Sequence, residues 1–265
     1  MYNPYLITEP TCISFSGGRT SAYMLYKILE AHDMSLPKDA FVCFANTGKE
    51  HENTLDFVHA CEVNWNIKIH WLEFIREKQR FKEVSYETAS RAGEPFSSMI
   101  DAKSFLPNSV MRFCTTELKI KPIEYFMKSI GHDEYQTFAG IRYDEPRRIV
   151  KLRDTVQAPL FLDKITQKDV QLFWEKNSFD LQLEFRNKVT ALGNCDLCFM
   201  KGAHQIMSII QQEPERAVWW AHQEKKINGR FSKDRPDYTL MMNYSKKQID
   251  MFNADEETIA CFCGD

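Results

Sequence analysis

Short apolar runs, each stopped by a polar turn, set the pattern of the first third of the chain. Ile13 and Phe15 alternate with small residues, and past Ser16-Gly17-Gly18 the apolar positions Met24, Leu25, Ile28 and Leu29 recur at helical spacing. Phe41-Val42-Cys43-Phe44-Ala45 is an unbroken apolar run, which suits a strand covered on both faces, and it stops at Asn46-Thr47-Gly48. A helix is predicted over 52–64, after which Ile67, Ile69 and Trp71 alternate with Lys68 and His70 as a third strand. This β-α-β-α-β order predicts an α/β fold: a doubly wound, mostly parallel sheet with helices on both faces. In such sheets ligands gather beyond the carboxyl ends of the strands, where both polar turns fall.

Farther along, residues 76–91 carry a weak helical pattern, and Gly93–Ser98 and Pro107-Asn108 read as loops. A helix is predicted over 115–130, with Pro122 marking a boundary or kink. Tyr135–Ala139 is a fourth strand, ending at Gly140-Ile141-Arg142. Residues 166–177 form a helix opened by a capping box, Thr166 to Asp169. Two more helices are expected over 195–212 and 214–225. The expectation is one domain over 1–265, with its core at about 10–160 and a helical, cysteine-bearing part at about 161–265.

Composition narrows the function classes. With 43% apolar and 13% aromatic residues in 265, the chain can supply a sizeable core, which excludes a disordered polymer. A net charge of −3 gives no general attraction to nucleic acid or to an anionic membrane. No basic-then-apolar leader opens the sequence and no apolar stretch reaches membrane-spanning length, so the expected setting is the cytoplasm, without a membrane partner. There, eight cysteines point to metal or thiol chemistry rather than to a disulfide framework. Cys12, Cys43 and Cys61 lie on apolar faces and read as small core residues. His51, His70, His204 and His222 read as structural or exposed, and Trp219-Trp220 as packing.

The candidate chemistry sits in five places. Ser16-Gly17-Gly18-Arg19-Thr20-Ser21 joins a strand to a helix start, where free N–H groups, the helix dipole, the hydroxyls and the Arg19 fork all favour an anion; a plain helix cap uses the same residues. Asn46-Thr47-Gly48 is a second polar strand end, as suited to a turn and cap as to a ribose or base. Gly140, Arg142, Glu145 and Arg148 follow the fourth strand, where arginines can clamp phosphate or sulfate, or form a solvated basic loop. Cys195-Asp196-Leu197-Cys198, placed at a predicted helix start that would lower its thiol pKa values, fits a metal, a redox pair or coincidence. Cys261-Phe262-Cys263-Gly264 carries two thiols near the end of the sequence. Neither a Gly-x-x-x-x-Gly-Lys-Ser/Thr nor a Gly-x-Gly-x-x-Gly pattern occurs.

The first of these stretches resembles the PP-loop of the adenine-nucleotide alpha-hydrolase superfamily, Ser-Gly-Gly-x-Asp-Ser, with Thr20 where that pattern has Asp. In order and spacing the set as a whole resembles the phosphoadenosine phosphosulfate (PAPS) reductase family, over roughly 11–205. The resemblance implies an adenine-nucleotide-alpha-hydrolase-like fold and a nucleotide held by Ser16, Gly17, Gly18, Arg19, Thr20, Ser21, Asn46, Thr47, Gly48, Gly140, Arg142 and Arg148, with Glu52 beside the adenosine. It implies further that Cys114, in Arg112-Phe113-Cys114-Thr115-Thr116, joins Cys195 and Cys198 ~80 residues on to hold an iron–sulfur cluster, four-iron in type; Phe113 stands where the family's cysteine pair begins. Cys261 or Cys263 would complete that set, and zinc on Cys195, Cys198, Cys261 and Cys263 is the alternative.

Three functions follow from the resemblance. A sulfonucleotide reductase would use Cys263 or Cys261 as nucleophile and release sulfite, with a thioredoxin-like protein as reductant. An ATP-dependent sulfur transferase would cleave ATP between the α and β phosphates, with magnesium, and act on tRNA or another acceptor. A non-catalytic module would bind the nucleotide only. The reductase is the expectation carried forward.

Overall fold

A computed structural model describes residues 2–186 and 189–246, so Cys261 and Cys263 lie outside the described residues. The chain opens as expected: β1 (Thr11–Ser14), α1 (Arg19–Ala31), β2 (Ala40–Asn46), α2 (Glu52–Trp65) and β3 (Ile69–Phe74). Residues 76–91 then depart from the helical expectation. They form β4 (Phe81–Val84), which turns back antiparallel on β3 with Phe81 opposite Phe74 and Lys82 opposite Glu73. The physical reason is an edge strand. Its charged residues face water and guard the open sheet edge, so the apolar alternation that marks an inner strand is missing.

Next come α3 (Glu94–Lys103), a three-residue α4 (Phe113–Thr115), a π turn (Thr116–Ile120) and α5 (Lys121–Ser129). The break expected at Pro122 is real, and it takes the form of this π turn: Pro122 lies in the first turn of α5 and cannot donate backward. The chain continues through β5 (Gln136–Ala139), α6 (Pro146–Ile149), β6 (Val156–Gln157), α7 (Pro159–Leu162) and α8 (Gln167–Trp174). The capping box of α8 is present, with the Asp169 carboxylate accepting from the Thr166 N–H at 2.8 Å and from its hydroxyl at 2.5 Å. A small hairpin, β7 (Phe185–Arg186) and β8 (Val189–Thr190), precedes α9 (Ala203–Gln212), α10 (Arg216–Ile227) and α11 (Tyr238–Lys246).

The main sheet has the order β4-β3-β2-β1-β5-β6, parallel except for β4. This is an α/β, mostly parallel sheet with a helical C-terminal part. After β3 and β4 the chain returns to lay β5 against the free side of β1, so the direction of winding reverses between β1 and β5. Alternation assigns the two faces. Ile13, Val42, Phe44 and Trp71 pack with buried residues of α1, α2 and α8 in one core. Cys12, Cys43 and Leu72 point the other way, toward Phe126 and Met127 of α5. A further core gathers Phe96 of α3, Ile206 and Ile210 of α9, Trp220 of α10, Phe231 and Tyr238. Cys12, Cys43 and Cys61 are fully buried, in keeping with their reading as core residues.

Candidate functional site

A cavity of about 1100 Å³ opens where the winding reverses. It is lined by small side chains on β1 and β5, among them Ser14, Thr137 and Ala139, and by Ser16, Ser21, Gly140, Ile141 and Arg148 beyond the ends of those strands. The position is the one that parallel sheets reserve for ligands.

The loop after β1 is built to leave donors free. Gly17 takes φ +78°, a left-handed conformation, and a Cβ there would lie 2.8 Å from the Thr54 methyl. Gly18 caps α1 in an extended conformation without a side-chain cap. The Ser21 hydroxyl instead folds back to the loop, donating to the Gly18 carbonyl at 3.0 Å and accepting from the Ser16 N–H at 3.2 Å. The backbone N–H groups of Gly17 through Ser21 are left without a partner among the described residues, at the positive end of a 13-residue helix.

The loop after β5 closes against this one. A Cβ on Gly140 would stand 3.1 Å from the Ser21 Cα, so any larger residue would push the two backbones apart by a few tenths of an ångström. Arg142 donates through Nη1 to the Thr20 hydroxyl at 3.0 Å and through Nε to Asp144 at 2.9 Å. Glu145 organises the loop, accepting from the Arg142 N–H at 3.0 Å and from Arg148 Nη1 at 2.8 Å. Arg148 is only 8% exposed, borders the cavity, and keeps a buried Nε with no hydrogen-bond partner. An unpaired buried donor costs about 1–3 kcal/mol, so the position makes physical sense beside an anion.

Arg19 does not join this cluster. Its guanidinium turns away and pairs bidentately with Asp180, Nε to Oδ1 at 2.7 Å and Nη2 to Oδ2 at 2.5 Å. Arg19, expected as an anion fork, braces the start of α1 here through Asp180. The third polar stretch is committed inward as well. The Asn46 amide donates to Glu73 at 2.6 Å and to the Ser90 carbonyl at 2.9 Å, while the Thr47 hydroxyl donates to Glu50 at 2.8 Å. Gly48 sits in the same turn, its N–H donating to the Asn46 side chain at 3.1 Å. Glu52, expected near an adenosine, pairs with Arg216 at 2.8 Å.

The helix predicted from residue 195 begins instead at Ala203. Cys195 pairs as a short bridge with Glu50, and its Sγ lies 3.5 Å from the Thr47 hydroxyl. No helix start acts on it; burial, and then the Glu50 carboxylate, push its thiol well above the usual range. The loop is clamped by neighbours: Asp196 meets Lys49 at 3.2 Å and Trp220 Nε1 at 2.8 Å, and the Tyr238 hydroxyl donates to the Leu197 carbonyl at 2.5 Å. Cys114, Cys195 and Cys198 adjoin the same core, but among the described residues no group of three or more His, Cys, Asp or Glu is arranged to hold a metal ion. Cys261 and Cys263, the other ligands expected for a cluster or for zinc, lie outside the described residues.

Thr115, Lys119, Ile123 and Lys128 also line the cavity, none of them singled out from the sequence as site residues. Their spacing of four to five residues is a helical stripe, and that periodicity was the available signal. Lys119 also stands 3.8 Å from Glu50, linking the cavity to the loop after β2.

Among the described residues no helix is long and apolar enough to cross a membrane. No protein-family model matches the chain. Among solved structures it is similar to a PAPS reductase from Candida auris in a phosphate complex, at 13% identity and TM-score 0.41, over 68% of this chain and 81% of that one. An uncharacterised protein of Methanocaldococcus jannaschii is 30% identical over 148 residues, 56% of this chain and 26% of that one. An uncharacterised nin region protein of Escherichia phage lambda is 32% identical over 203 residues, which span 73% of this chain and 67% of the phage protein. On that extent of shared sequence, the chain belongs to the family of the phage lambda nin region protein.

Proposed function

We propose that the cavity between β1 and β5 binds an adenine nucleotide by its phosphate or sulfate group, and that the chain is an enzyme of the PAPS reductase type, reducing a sulfonucleotide to sulfite. The observation that carries the binding is Arg148: a buried guanidinium with an unpartnered Nε, bordering a cavity that Ser16 and Ser21 of the loop after β1 also line. The reductase chemistry rests on the sequence resemblance and on the tail cysteines.

In the reaction, a thiolate of Cys263 or Cys261 attacks the sulfur, and the bond between sulfur and the bridging phosphate oxygen breaks. The electron pair leaves with the nucleotide. The negative charge growing on its phosphate meets Arg148, at the end of the cavity bordered by the start of α1. The cysteine is left as an S-sulfonate. A thiol of a thioredoxin-like reductant attacks the cysteine sulfur, sulfite departs with its electron pair, and the resulting disulfide is reduced by the second thiol of the reductant. Two thiols are thereby oxidised as sulfate-level sulfur becomes sulfite.

The test is incubation with adenosine 5′-phosphosulfate, or its 3′-phosphorylated form, and reduced thioredoxin, with sulfite measured. Sulfite that disappears in the Cys261→Ser/Cys263→Ser double variant supports the reading. Pyrophosphate released from ATP, with no sulfite from either sulfonucleotide, replaces it with the ATP-dependent transferase. Tight nucleotide binding with neither product leaves a non-catalytic module.

A further inference from the structure

The cavity between β1 and β5 carries its acidic lining at one end only. Glu9 precedes β1, Asp133 and Glu134 precede β5, and Asp154 precedes β6, so these carboxylates stand at the amino ends of the parallel strands. Glu124 of α5 pairs at 3.6 Å with Arg153, just ahead of β6. Ser16, Ser21 and Arg148 lie beyond the carboxyl ends of β1 and β5. Each of those strands has four residues, which at about 3.3 Å per residue keeps the two ends roughly 13 Å apart.

The carboxyl end offers partners to an anion and none of the usual ones to a divalent cation. Among the described lining residues at that end there is no carboxylate; the hydroxyls of Ser16 and Ser21 hydrogen-bond each other at 3.0 Å, and the charged side chains are Arg148 and Lys119. The loop after β5 has two carboxylates, and both are spent. Glu145 accepts from the Arg142 N–H and from Arg148 Nη1, and Asp144 accepts from Arg142 Nε. Thr20 stands where the PP-loop pattern has Asp; it is 3% exposed, and its hydroxyl accepts from Arg142 Nη1, so a guanidinium meets that position. Magnesium on a nucleotide is held by one or two carboxylates together with phosphate oxygens. The donor set here does not fit it. We propose that this site takes the anionic end of its nucleotide without a divalent cation, with Arg148 supplying the counter-charge. The inference rests on the nucleotide reading of the cavity and narrows its substrate class. A phosphosulfate needs no metal bridge, whereas magnesium-dependent cleavage of ATP finds no carboxylate among these residues to hold the metal.

The experiment is calorimetric titration of the full chain with adenosine 5′-phosphosulfate and, separately, with ATP, each in excess magnesium and in EDTA. The phosphosulfate dissociation constants should agree within about twofold, where loss of a bridging charge would cost about tenfold or more. ATP should bind at least as tightly in EDTA, because magnesium cancels negative charge that Arg148 attracts. Electron paramagnetic resonance of Mn²⁺ should show no more metal bound with chain and nucleotide together than with nucleotide alone. In Arg148→Ala, phosphosulfate affinity should fall about tenfold or more in both buffers, and magnesium should not restore it. The comparison on the parent chain stands even where that variant does not fold. Binding lost in EDTA, Mn²⁺ taken up only by the ternary mixture, or rescue of Arg148→Ala by magnesium each overturns the proposal. No binding of either nucleotide in either buffer is a different failure: it removes the nucleotide reading itself, and this inference with it.

Discussion

Arg142 and Arg148 show how one charge type takes two roles a few residues apart. Arg142 is spread over Thr20, Asp144 and the backbone partner Glu145, and it ties the two loops together. Arg148 keeps Nε uncommitted beside the cavity. Arg148→Ala is therefore expected to weaken binding of adenosine 5′-phosphosulfate tenfold or more by calorimetry, the equivalent of ~1.5–3 kcal/mol for a charge-assisted contact. Arg148→Lys should not restore it, because a lysine has no second planar donor. His51 gives a pH prediction. Its Nδ1 accepts the Asn53 N–H at 3.0 Å and so caps α2, while burial first and Arg216 second hold its pKa below the usual histidine value. A histidine with a lowered folded pKa binds more protons when unfolded, so stability is present above the unfolded pKa, about 6.5, and is lost as pH falls through the folded value. Urea midpoints should drop on acidification in the native chain and drop less in His51→Asn, which retains a capping acceptor. The turn from β1 into α1 was legible in the sequence because it is backbone geometry, set by two glycines and a helix start. The partner of Arg19 was not, because Asp180 lies 161 positions away and no local pattern announces it.

Between elements, the contact that matters most is the glycine-mediated approach of the β5 loop to α1. A methyl group on Gly140 would meet backbone, which cannot swing aside as a side chain can. Gly140→Ala is expected to lower nucleotide affinity by separating Arg142 from Thr20, with a smaller effect on the thermal midpoint than on binding; a fall in stability with affinity unchanged would place the strain outside the site. The capping box of α8 does not line the cavity, and Thr166→Ala should cost about 1 kcal/mol, as a denaturation curve can show. These elements differ in how plainly the sequence declared them. The capping box and the parallel strands are local patterns, and the structure has them. The Cys-x-x-Cys stretch was read as a helix start because polar residues precede it and apolar ones follow. Tertiary pairing with Glu50, and clamping by Trp220 and Tyr238, hold it as a bridge and turn instead. The π turn ahead of Pro122 was visible only as a proline inside a helical run.

At the scale of the whole chain, residues 174–216 grip the starts of α1 and α2 from two sides. On one side Asp180 and the Leu183 carbonyl hold Arg19, Trp174 donates to the Arg19 carbonyl at 2.9 Å, and Asn53 reaches the Gln182 carbonyl at 2.8 Å. On the other, Cys195 bridges Glu50, Asp196 pairs with Lys49, and Arg216 pairs with Glu52. The starts of α1 and α2 are thus both fastened to the C-terminal part, and the sheet and the later helices should unfold together. The five tryptophans test this, because Trp65, Trp71 and Trp174 report on the first core while Trp219 and Trp220 report on the core around Phe231. Urea curves followed by fluorescence in variants retaining only one set should coincide with each other and with circular dichroism. Removing the brace should then lower the common midpoint unequally. Asp180→Ala strands the half-buried Arg19 charge, whose Nη1 already lacks a partner, whereas Arg19→Met leaves a carboxylate that can turn to water. Asp180→Ala is expected to cost about 2–3 kcal/mol and Arg19→Met less, with nucleotide affinity reduced in both because the N–H groups of α1 lose their fixed direction. Two separated transitions in the parent chain would mean that the C-terminal part folds apart from the sheet, and that the loops after β1 and β2 hold their shape without it.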